Sequence, residues 1–305
     1  MGAGHSHTIT VPAGTAAGRH TTMLAAALAL TTGYMVVEVI GGLWTGSLAL
    51  ISDAAHMLTD AGGMALALLA IRFAQRPATP QKTYGYARTE ILSALANAVV
   101  LLLVTVYILY EAAQRLVDPP EVQSGPMLAV AVVGLGVNLL SMKLLAAGSS
   151  ESLNLKGAYF EVLSDMLGSA GVIIAALIIM ATGWRLADPI VGAGIGLFIL
   201  PRTWGLLKQA VHILMEGTPP HVDVALLERQ LLALPGVEAV HDLHVWTVTS
   251  GIDAMSGHII VSDMAEAKAT LERARDVMRA EFGLTHTTIQ IEDHALRAAE
   301  GDMAH

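Results

Sequence analysis

Long apolar stretches separated by short polar connections fill the first two thirds of the chain. A helix needs roughly 20 mostly apolar residues to cross the hydrocarbon core of a membrane. Because lipid offers no partner for an unpaired backbone N–H or C=O, such stretches are predicted to be helices. Stretches of this length occur at residues 23–44, 48–73, 91–110, 127–145, 158–182 and 188–207.

The last third of the chain has a different pattern. After a break at residues 217–220, the apolar spacing predicts a helix over 222–234 and strands over 239–249, 254–262 and 287–292. A second helix over 265–282 completes the order α-β-β-α-β. This order suits a small sheet with both helices on one face, an α+β fold of the ferredoxin-like type. The predicted fold class is therefore an all-α six-helix transmembrane bundle followed by a ferredoxin-like domain.

These patterns divide the chain into segments. We predict an N-terminal cytoplasmic tail at 1–22, a transmembrane domain at 23–208, the ferredoxin-like domain at 209–295 and a C-terminal tail at 296–305. Lys and Arg are retained in short cytoplasmic loops, and nine lie in the segments of one side against two on the other. We therefore expect a multi-pass protein of the plasma or inner membrane, with both termini in the cytoplasm.

Composition and charge narrow the class of protein. Of the 305 residues, 54% are hydrophobic and 14% charged, and the mean hydropathy is +0.58, which excludes a soluble protein with an ordinary hydrated surface. Residues 209–305 carry 15 acidic and 6 basic side chains, so the net charge of −9 lies in the last third. We expect contact with lipid and no nucleic-acid partner. Since cysteine is absent, a metal site must use His, Asp or Glu.

Four ionisable residues share one spacing inside the predicted second and fifth spans. His56 and Asp60 are four residues apart, as are Glu161 and Asp165, so each pair lies on one face of a helix. These two helices are predicted to run in opposite directions, like halves of an inverted repeat. An ionisable side chain at the centre of a membrane helix costs at least about 2.5–3.5 kcal/mol, so each needs a reason. Two such faces turned together supply the ligands of a tetrahedral Zn²⁺ site.

The spacing of these four residues is compatible with three further roles. They could form a hydrogen-bonded cluster that only holds the bundle together, although three carboxylates around one imidazole leave like charges unpaired without a cation. A membrane metalloenzyme is a second alternative, but the chain contains no His-Glu-x-x-His motif. A metal sensor without transport is a third. Asp53 could line the access path or anchor its helix, and Glu38 and Glu90 are predicted to bond between helices.

The same ligands predict a coupling to protons. Imidazole and carboxylates must lose protons to bind a metal, and protonation restores the charge balance of the empty site. Metal and protons therefore compete for the same groups, and proton antiport is the expected consequence.

Several segments, in this order and spacing, resemble the cation diffusion facilitator family. They are EVIGGLWTGSLALISDAAHMLTD at 38–60, YGYARTEIL at 84–92, NLKGAY at 154–159, VHDLHVW at 240–246 and HTTIQIE at 286–292. The resemblance implies a homodimer that exports a divalent metal, above all Zn²⁺, from the cytoplasm in exchange for H⁺. It also implies a metal site between the second and fifth spans and a cytoplasmic domain that binds regulatory metal and dimerises.

The sequence departs from the family pattern at one ligand. The zinc branch usually has His-x-x-x-Asp in both spans, whereas Glu161 occupies the place of the second His. A carboxylate is a harder ligand than imidazole, which leaves Co²⁺, Cd²⁺, Mn²⁺ and Fe²⁺ as alternatives to Zn²⁺. Some members carry a further site after the second span, and the absence of His and Asp from residues 75–88 indicates that this chain does not.

For the cytoplasmic domain, the resemblance implies the metal ligands His241, His258 and His286, with Glu292 as a possible fourth. Alternation along a strand predicts that His286 and Glu292 point to one side. By the same rule His241 and His244, three residues apart, point to opposite sides and do not share an ion. Ordinary surface or core histidines are the alternative. The apolar residues Ile289 and Ile291 are predicted to face the core.

Overall fold

The computed structural model describes residues 16–58, 62, 79–146, 153–249 and 251–300, with side chains at all of these except 16–25, 153–158, 160, 161, 299 and 300. The α-helices in this part of the chain are α1 (Ala16–Thr45), α2 (Leu48–Leu58), α3 (Thr89–Val117), α4 (Ser124–Ala146), α5 (Leu153–Thr182), α6 (Ala187–Leu214), α7 (Val224–Leu232), α8 (Ala267–Phe282) and α9 (His294–Glu300). The strands are β1 (Val237–Thr249), β2 (Ile252–Val261) and β3 (His286–Glu292). The chain divides into two compact units, one of residues up to 65 and 97–204, the other of 66–96 and 205–305.

Apolar helices make up the first unit. Five helices of the described ranges are long and apolar enough to cross a membrane, namely α1, α3, α4, α5 and α6. The helix α2 is apolar too, but the predicted second span at 48–73 is described continuously only as far as Leu58. Together with the sheet and helices of the second unit, this confirms the predicted fold class.

Two membrane helices continue well beyond their predicted C-terminal ends. The helix α3 continues from the predicted end at 110 to Val117, and α6 continues from 207 to Leu214. Hydropathy marks where a helix leaves lipid, but only a breaker ends it. These breakers are Pro119 and Pro120 after α3, and Glu216 with a φ of 59° followed by Gly217 after α6.

The interior of the bundle combines large apolar residues with small and polar ones. One narrow stripe of α4 is buried and consists of Met127, Ala131, Gly134, Asn138, Ser141 and Leu145. The stripe packs against α1 and α5. On α5, Ala175 and Ala176 are also fully buried. Small residues let membrane helices approach closely, and buried hydroxyl and amide groups then bond across them. Large apolar residues such as Leu103 and Phe198 lie on the exposed outer surface.

Asp188 fixes the start of α2. Its carboxylate lies at the beginning of α6 and accepts hydrogen bonds from the Ser47 hydroxyl at 2.5 Å and from the backbone N–H groups of Leu48 and Ala49 at 2.7 and 3.2 Å. It therefore satisfies N–H groups that have no partner within α2, as an N-terminal cap does. The Arg115 guanidinium lies 3.8 Å away and also bonds to the Gly46 carbonyl. This contact fixes where α2, and the residues it carries, begin.

The second unit contains a three-stranded sheet in the order β1-β2-β3, in which β1 and β2 are antiparallel and β2 and β3 parallel. Leu227 and Leu231 of α7 and Met278 of α8 pack on it in one core. Ile289 and Ile291 pack against the same core, as predicted. The predicted α-β-β-α-β order is therefore confirmed, with the short helix α9 added at the end.

Candidate metal centres

The described part of the first unit brings His56 and Asp165 together. His56 lies on α2 and Asp165 on α5, and the distance from His56 Nε2 to Asp165 Oδ1 is 3.8 Å. Both side chains are about 7% exposed. One ligand from each predicted pair therefore meets the other across two helices in the interior of an apolar bundle.

The structure describes the other two predicted ligands only in part. Asp60 lies outside the described residues. Glu161 lies within α5, four residues before Asp165, and its side chain is outside the described set. Their participation in the site stays a prediction. In sequence, 56–63 and 161–168 share one motif, in which the first residue is followed by x-Leu-Thr/Ser-Asp-x-x-Gly.

A cavity of about 410 Å³ adjoins His56, the α2 member of this pair. Its polar lining comes from Asp53 and His56 of α2 and Ser164 of α5, and its apolar lining includes Ile190 and Phe198 of α6. Asp53, the residue predicted either to line an access path or to anchor its helix, thus lies at the wall of a space that also reaches His56. A cavity with one polar wall and one apolar wall can admit a cation to the ligands while limiting the water around it.

A glycine makes room for Asp53. A Cβ atom added at Gly168 would overlap the Asp53 carboxylate, so α5 can approach α2 this closely only with glycine at this position. The next residue, Ser169, donates its hydroxyl to Asp53 Oδ2 at 3.3 Å. Gly168 is the last residue of the motif that the two spans share, and in the fifth span it admits a carboxylate from the second.

The remaining acidic residues have different partners. Glu38 receives a hydrogen bond from the Tyr34 hydroxyl at 3.0 Å and interacts with the Asp53 carboxyl group on α2, which agrees with the predicted bonding between helices. Glu90 accepts a hydrogen bond from Thr249 Oγ1 at 2.5 Å, so this partner lies on strand β1 and not on another helix. No local pattern marks the bonds of Asp188, because its partners are backbone groups far away along the chain.

A second candidate centre lies on the sheet of the second unit. His241 Nε2 is 3.2 Å from Glu292 Oε2, and His258 Nδ1 is 2.5 Å from Glu292 Oε1. The two imidazole rings are 4.9 Å apart, and ligand atoms of His241, Asp242 and His258 lie within 4.8 Å of one another. Two imidazole nitrogens and one or two carboxylates at these separations fit the donor set of a divalent transition metal after small side-chain rotations.

The strand pairing explains why these residues meet. His241 is paired with His258 on β2, and His258 is paired with Gln290 on β3, two residues before Glu292. Directly paired residues project from the same face of a sheet. The centre therefore lies on the face opposite to Ile289 and Ile291, away from the helices. Gln290 donates to Glu292 Oε1 at 2.9 Å and so orients the carboxylate, which is fully buried.

The predicted directions of His241 and His244 are wrong. His241 is paired with His258 but His244 with Ser256, so three residues of β1 span two of β2. Asp242, with a φ of 47°, lies in this bulge, and the extra residue turns His244 to the same face as His241. His244 is nevertheless exposed, and it is not part of the cluster of His241, Asp242 and His258.

His286 is not part of the cluster in a single chain. It begins β3, and its ring lies 5.7 Å from that of Tyr84. Glu292 is six residues further on, roughly 20 Å along an extended strand. The structure therefore brings together three of the four predicted cytoplasmic ligands, His241, His258 and Glu292.

Known protein families match both parts of the chain. The cation efflux transmembrane domain matches residues 24–215, and the cytoplasmic domain of cation efflux proteins matches residues 219–294.

Three curated relatives match almost from end to end. The metal cation efflux system protein CzcD of Cupriavidus metallidurans is 49% identical over 96% of this chain and 90% of its own length. The cadmium, cobalt and zinc/H(+)-K(+) antiporter of Bacillus subtilis is 41% identical over 91% of each chain. The zinc transporter ZitB of Escherichia coli is 42% identical over 96% of this chain and 93% of its own length.

Gly168→Ala tests the geometry of the membrane site. The added methyl group pushes α5 or the Asp53 carboxylate away, and we expect metal transport to fall by about tenfold or more. Gly136→Ala on α4 is the matched control, because no atom lies within 4 Å of its added Cβ. Metal uptake by vesicles containing equal amounts of each folded protein is the measurement. Equal rates in the two variants would contradict this geometry.

Glu292→Gln and His258→Ala test the centre on the sheet. Each change removes a ligand, so we expect the affinity of one Zn²⁺ per full-length chain to fall by about 10–100-fold, as after other changes around bound metals. Equilibrium dialysis of the detergent-solubilised protein is the measurement. His294→Ala is the control, since this side chain is 73% exposed and bonds to Glu238. Unchanged affinity and stoichiometry in both variants would show that no ion binds there.

Proposed function

Because the chain belongs to the cation diffusion facilitator family of metal cation efflux transporters, we propose that it exports Zn²⁺ from the cytoplasm in exchange for protons. It is a multi-pass membrane transport protein and not an enzyme. Transport proceeds through a site formed by His56 and Asp60 of the second span and Glu161 and Asp165 of the fifth.

One observation carries this proposal. His56 and Asp165 approach to 3.8 Å on two different helices, beside a cavity, in the interior of an apolar bundle. An imidazole and a carboxylate are costly there unless they serve a function, and together they are ligands that a divalent transition metal accepts. Asp60 and Glu161 complete the ligand set, because the spacing of four residues from His56 and Asp165 respectively predicts that each pair shares one helix face.

The choice of Zn²⁺ rests on the ligand chemistry and on the relatives. Imidazole nitrogen and carboxylate oxygen without any thiolate form ordinary zinc sites. One relative is called a zinc transporter, and another a cadmium, cobalt and zinc antiporter. Glu161, in the place of a second imidazole, widens the range of metals to include Co²⁺, Cd²⁺, Mn²⁺ and Fe²⁺.

Proton exchange follows from the same ligands. A metal displaces protons from an imidazole and carboxylates when it binds, and protons displace the metal when they return. The Bacillus subtilis relative bears a name that includes H(+) and K(+). An inward proton gradient therefore supplies the free energy for metal export.

The cytoplasmic domain regulates this activity as a homodimer. Its centre of His241, His258 and Glu292 binds a regulatory Zn²⁺, and His286 contributes a ligand at a separate place. The family name of this domain, ZT_dimer, supports association of two chains. The distribution of Lys and Arg places both termini and this domain in the cytoplasm, with the helical domain at 23–208 in the surrounding lipid.

Metal uptake into vesicles tests the proposal. Inside-out vesicles with a proton gradient are supplied with Zn²⁺, Co²⁺, Cd²⁺ or Mn²⁺, and uptake is followed with a metal-sensitive dye. We expect Asp60→Ala and Asp165→Ala to reduce Zn²⁺ uptake by about 100-fold or more, since each removes a charged ligand. Glu161→His should keep Zn²⁺ uptake and reduce that of Mn²⁺, because imidazole is softer than a carboxylate.

Glu121→Ala is the control for this experiment, since its side chain is 84% exposed and paired with Arg185. Normal uptake by Asp165→Ala would disprove the site. Metal binding by the parent protein without any uptake would instead favour a sensor.

A further inference from the structure

A chain of buried polar side chains lies beside the metal ligands without belonging to them. It consists of Tyr34 and Glu38 on α1, Asp53 on α2, Asn138 on α4 and Ser169 on α5. Glu38 is fully buried and Asp53 is 1% exposed. Glu38 is also distant in sequence from every predicted metal ligand.

Each carboxyl group has one oxygen with a hydrogen-bond donor. The Tyr34 hydroxyl donates to Glu38 Oε1 at 3.0 Å, a shorter contact than its 3.3 Å to the Val130 carbonyl, and the Ser169 hydroxyl donates to Asp53 Oδ2 at 3.3 Å. Asn138 Nδ2 donates in turn to Ser169 Oγ at 3.5 Å, so the Ser169 hydroxyl hydrogen is left for Asp53. The second oxygen of each carboxyl group receives no hydrogen bond from these donors.

A proton shared between the two carboxyl groups satisfies both remaining oxygens. Glu38 Oε2 and Asp53 Oδ1 are buried, no N–H or O–H group of the described residues donates to either, and the two carboxyl groups are close enough to interact. A buried oxygen without a donor is costly, and two carboxylates facing each other repel. One proton on Glu38 Oε2, donated to Asp53 Oδ1, removes both penalties at once.

Apart from His56, the described side chains around the two carboxyl groups are acidic or neutral. The titratable groups that act on Glu38 are Tyr34 on its own helix, Asp53 on α2 and Asp165 on α5. His56 lies one turn after Asp53 and beside Asp165. Asn138 and Ser141, buried on α4, are neutral, and no Lys or Arg of the described segments forms an ion pair with Glu38 or Asp53.

We propose that Glu38 is a proton-binding site of the transporter, separate from the metal ligands, whose proton is held against Asp53 and released when metal binds at His56 and Asp165. This inference rests on the proposed antiport. The O–H bond of Glu38 breaks, its electron pair stays on Oε2, and the proton passes to Asp53 Oδ1 and then to water in the adjoining cavity.

Electrostatics couples metal binding to proton release. Asp53 lines the same cavity as His56, and the Asp165 charge acts on Glu38. A divalent cation bound to His56 and Asp165 attracts the Asp53 carboxylate and repels a proton beside it, and charges interact strongly in the dry interior of a bundle. Metal binding therefore favours proton release, and reprotonation of Glu38 favours metal release.

Glu38→Gln separates this role from a structural one. The amide N–H of Gln can donate to Asp53 Oδ1 as the protonated Glu38 does, so the fold is retained while the proton can no longer leave. We expect Zn²⁺/Zn²⁺ exchange, which needs no net proton movement, to stay within about threefold of the parent, while gradient-driven Zn²⁺ uptake falls by about tenfold or more. Protons released per bound Zn²⁺, measured in weak buffer with the full chain, should fall by about one.

Two further variants serve as controls. Glu121→Gln removes an exposed carboxylate of the same unit and should leave all three measurements unchanged. Glu38→Asp keeps a titratable group and should restore part of the gradient-driven uptake.

The outcomes distinguish this inference from the proposed antiport. If Zn²⁺ uptake by the parent protein did not depend on the proton gradient, the antiport itself would be refuted. A proton-driven parent with unchanged proton release and uptake in Glu38→Gln would refute only the role of Glu38. Loss of Zn²⁺/Zn²⁺ exchange together with gradient-driven uptake would indicate a structural role and also refute it. A last outcome concerns K⁺. If the parent protein lost uptake when choline replaced K⁺, and Glu38→Gln did not, then Glu38 and Asp53 would hold K⁺ and not a proton.

Discussion

The approach of α2 to α5 in the interior of the bundle is the contact on which the rest of the structure depends. It brings an imidazole from one helix to 3.8 Å from a carboxylate on the other, where solvation by water is largely lost. The approach is possible because Gly168 leaves room for Asp53 and because Asp188 fixes the start of α2. A metal-binding group, a cavity and a set of hydrogen-bonded carboxyl groups are thereby confined to one region, so that a charge entering at one of them affects the others.

The two candidate metal centres use different structural means. In the bundle, His56 and Asp165 come from two helices, and small residues allow these helices to meet. On the sheet, His241, His258 and Glu292 meet because three strands pair in a fixed register. The sheet centre faces away from the core formed by α7 and α8. An ion can therefore bind there and leave without disturbing that core.

Much of the architecture could be predicted because it depends on local sequence patterns. Apolar length predicted the membrane helices, and alternation predicted the three strands and the inward direction of Ile289 and Ile291. The spacing of His56 and Asp165 within their motifs predicted that they belong together, and they do meet. What failed depends on local exceptions or distant partners. The bulge at Asp242 reverses the strand alternation and turns His244, and nothing in the apolar pattern marks it. The bonds of Asp188 join residues far apart in sequence, so only the folded chain shows them.

The central claim is that one ion is held between the second and fifth spans by His56 and carboxylates. X-ray absorption at the zinc edge tests it directly, on the full chain with one bound Zn²⁺ and with the cytoplasmic centre removed by His258→Ala and Glu292→Gln. We expect nitrogen and oxygen ligands at about 2.0–2.2 Å, with an outer-shell imidazole signal from one histidine that disappears in His56→Ala. A sulfur ligand at about 2.3 Å, or an imidazole signal that persists in His56→Ala, would contradict this claim.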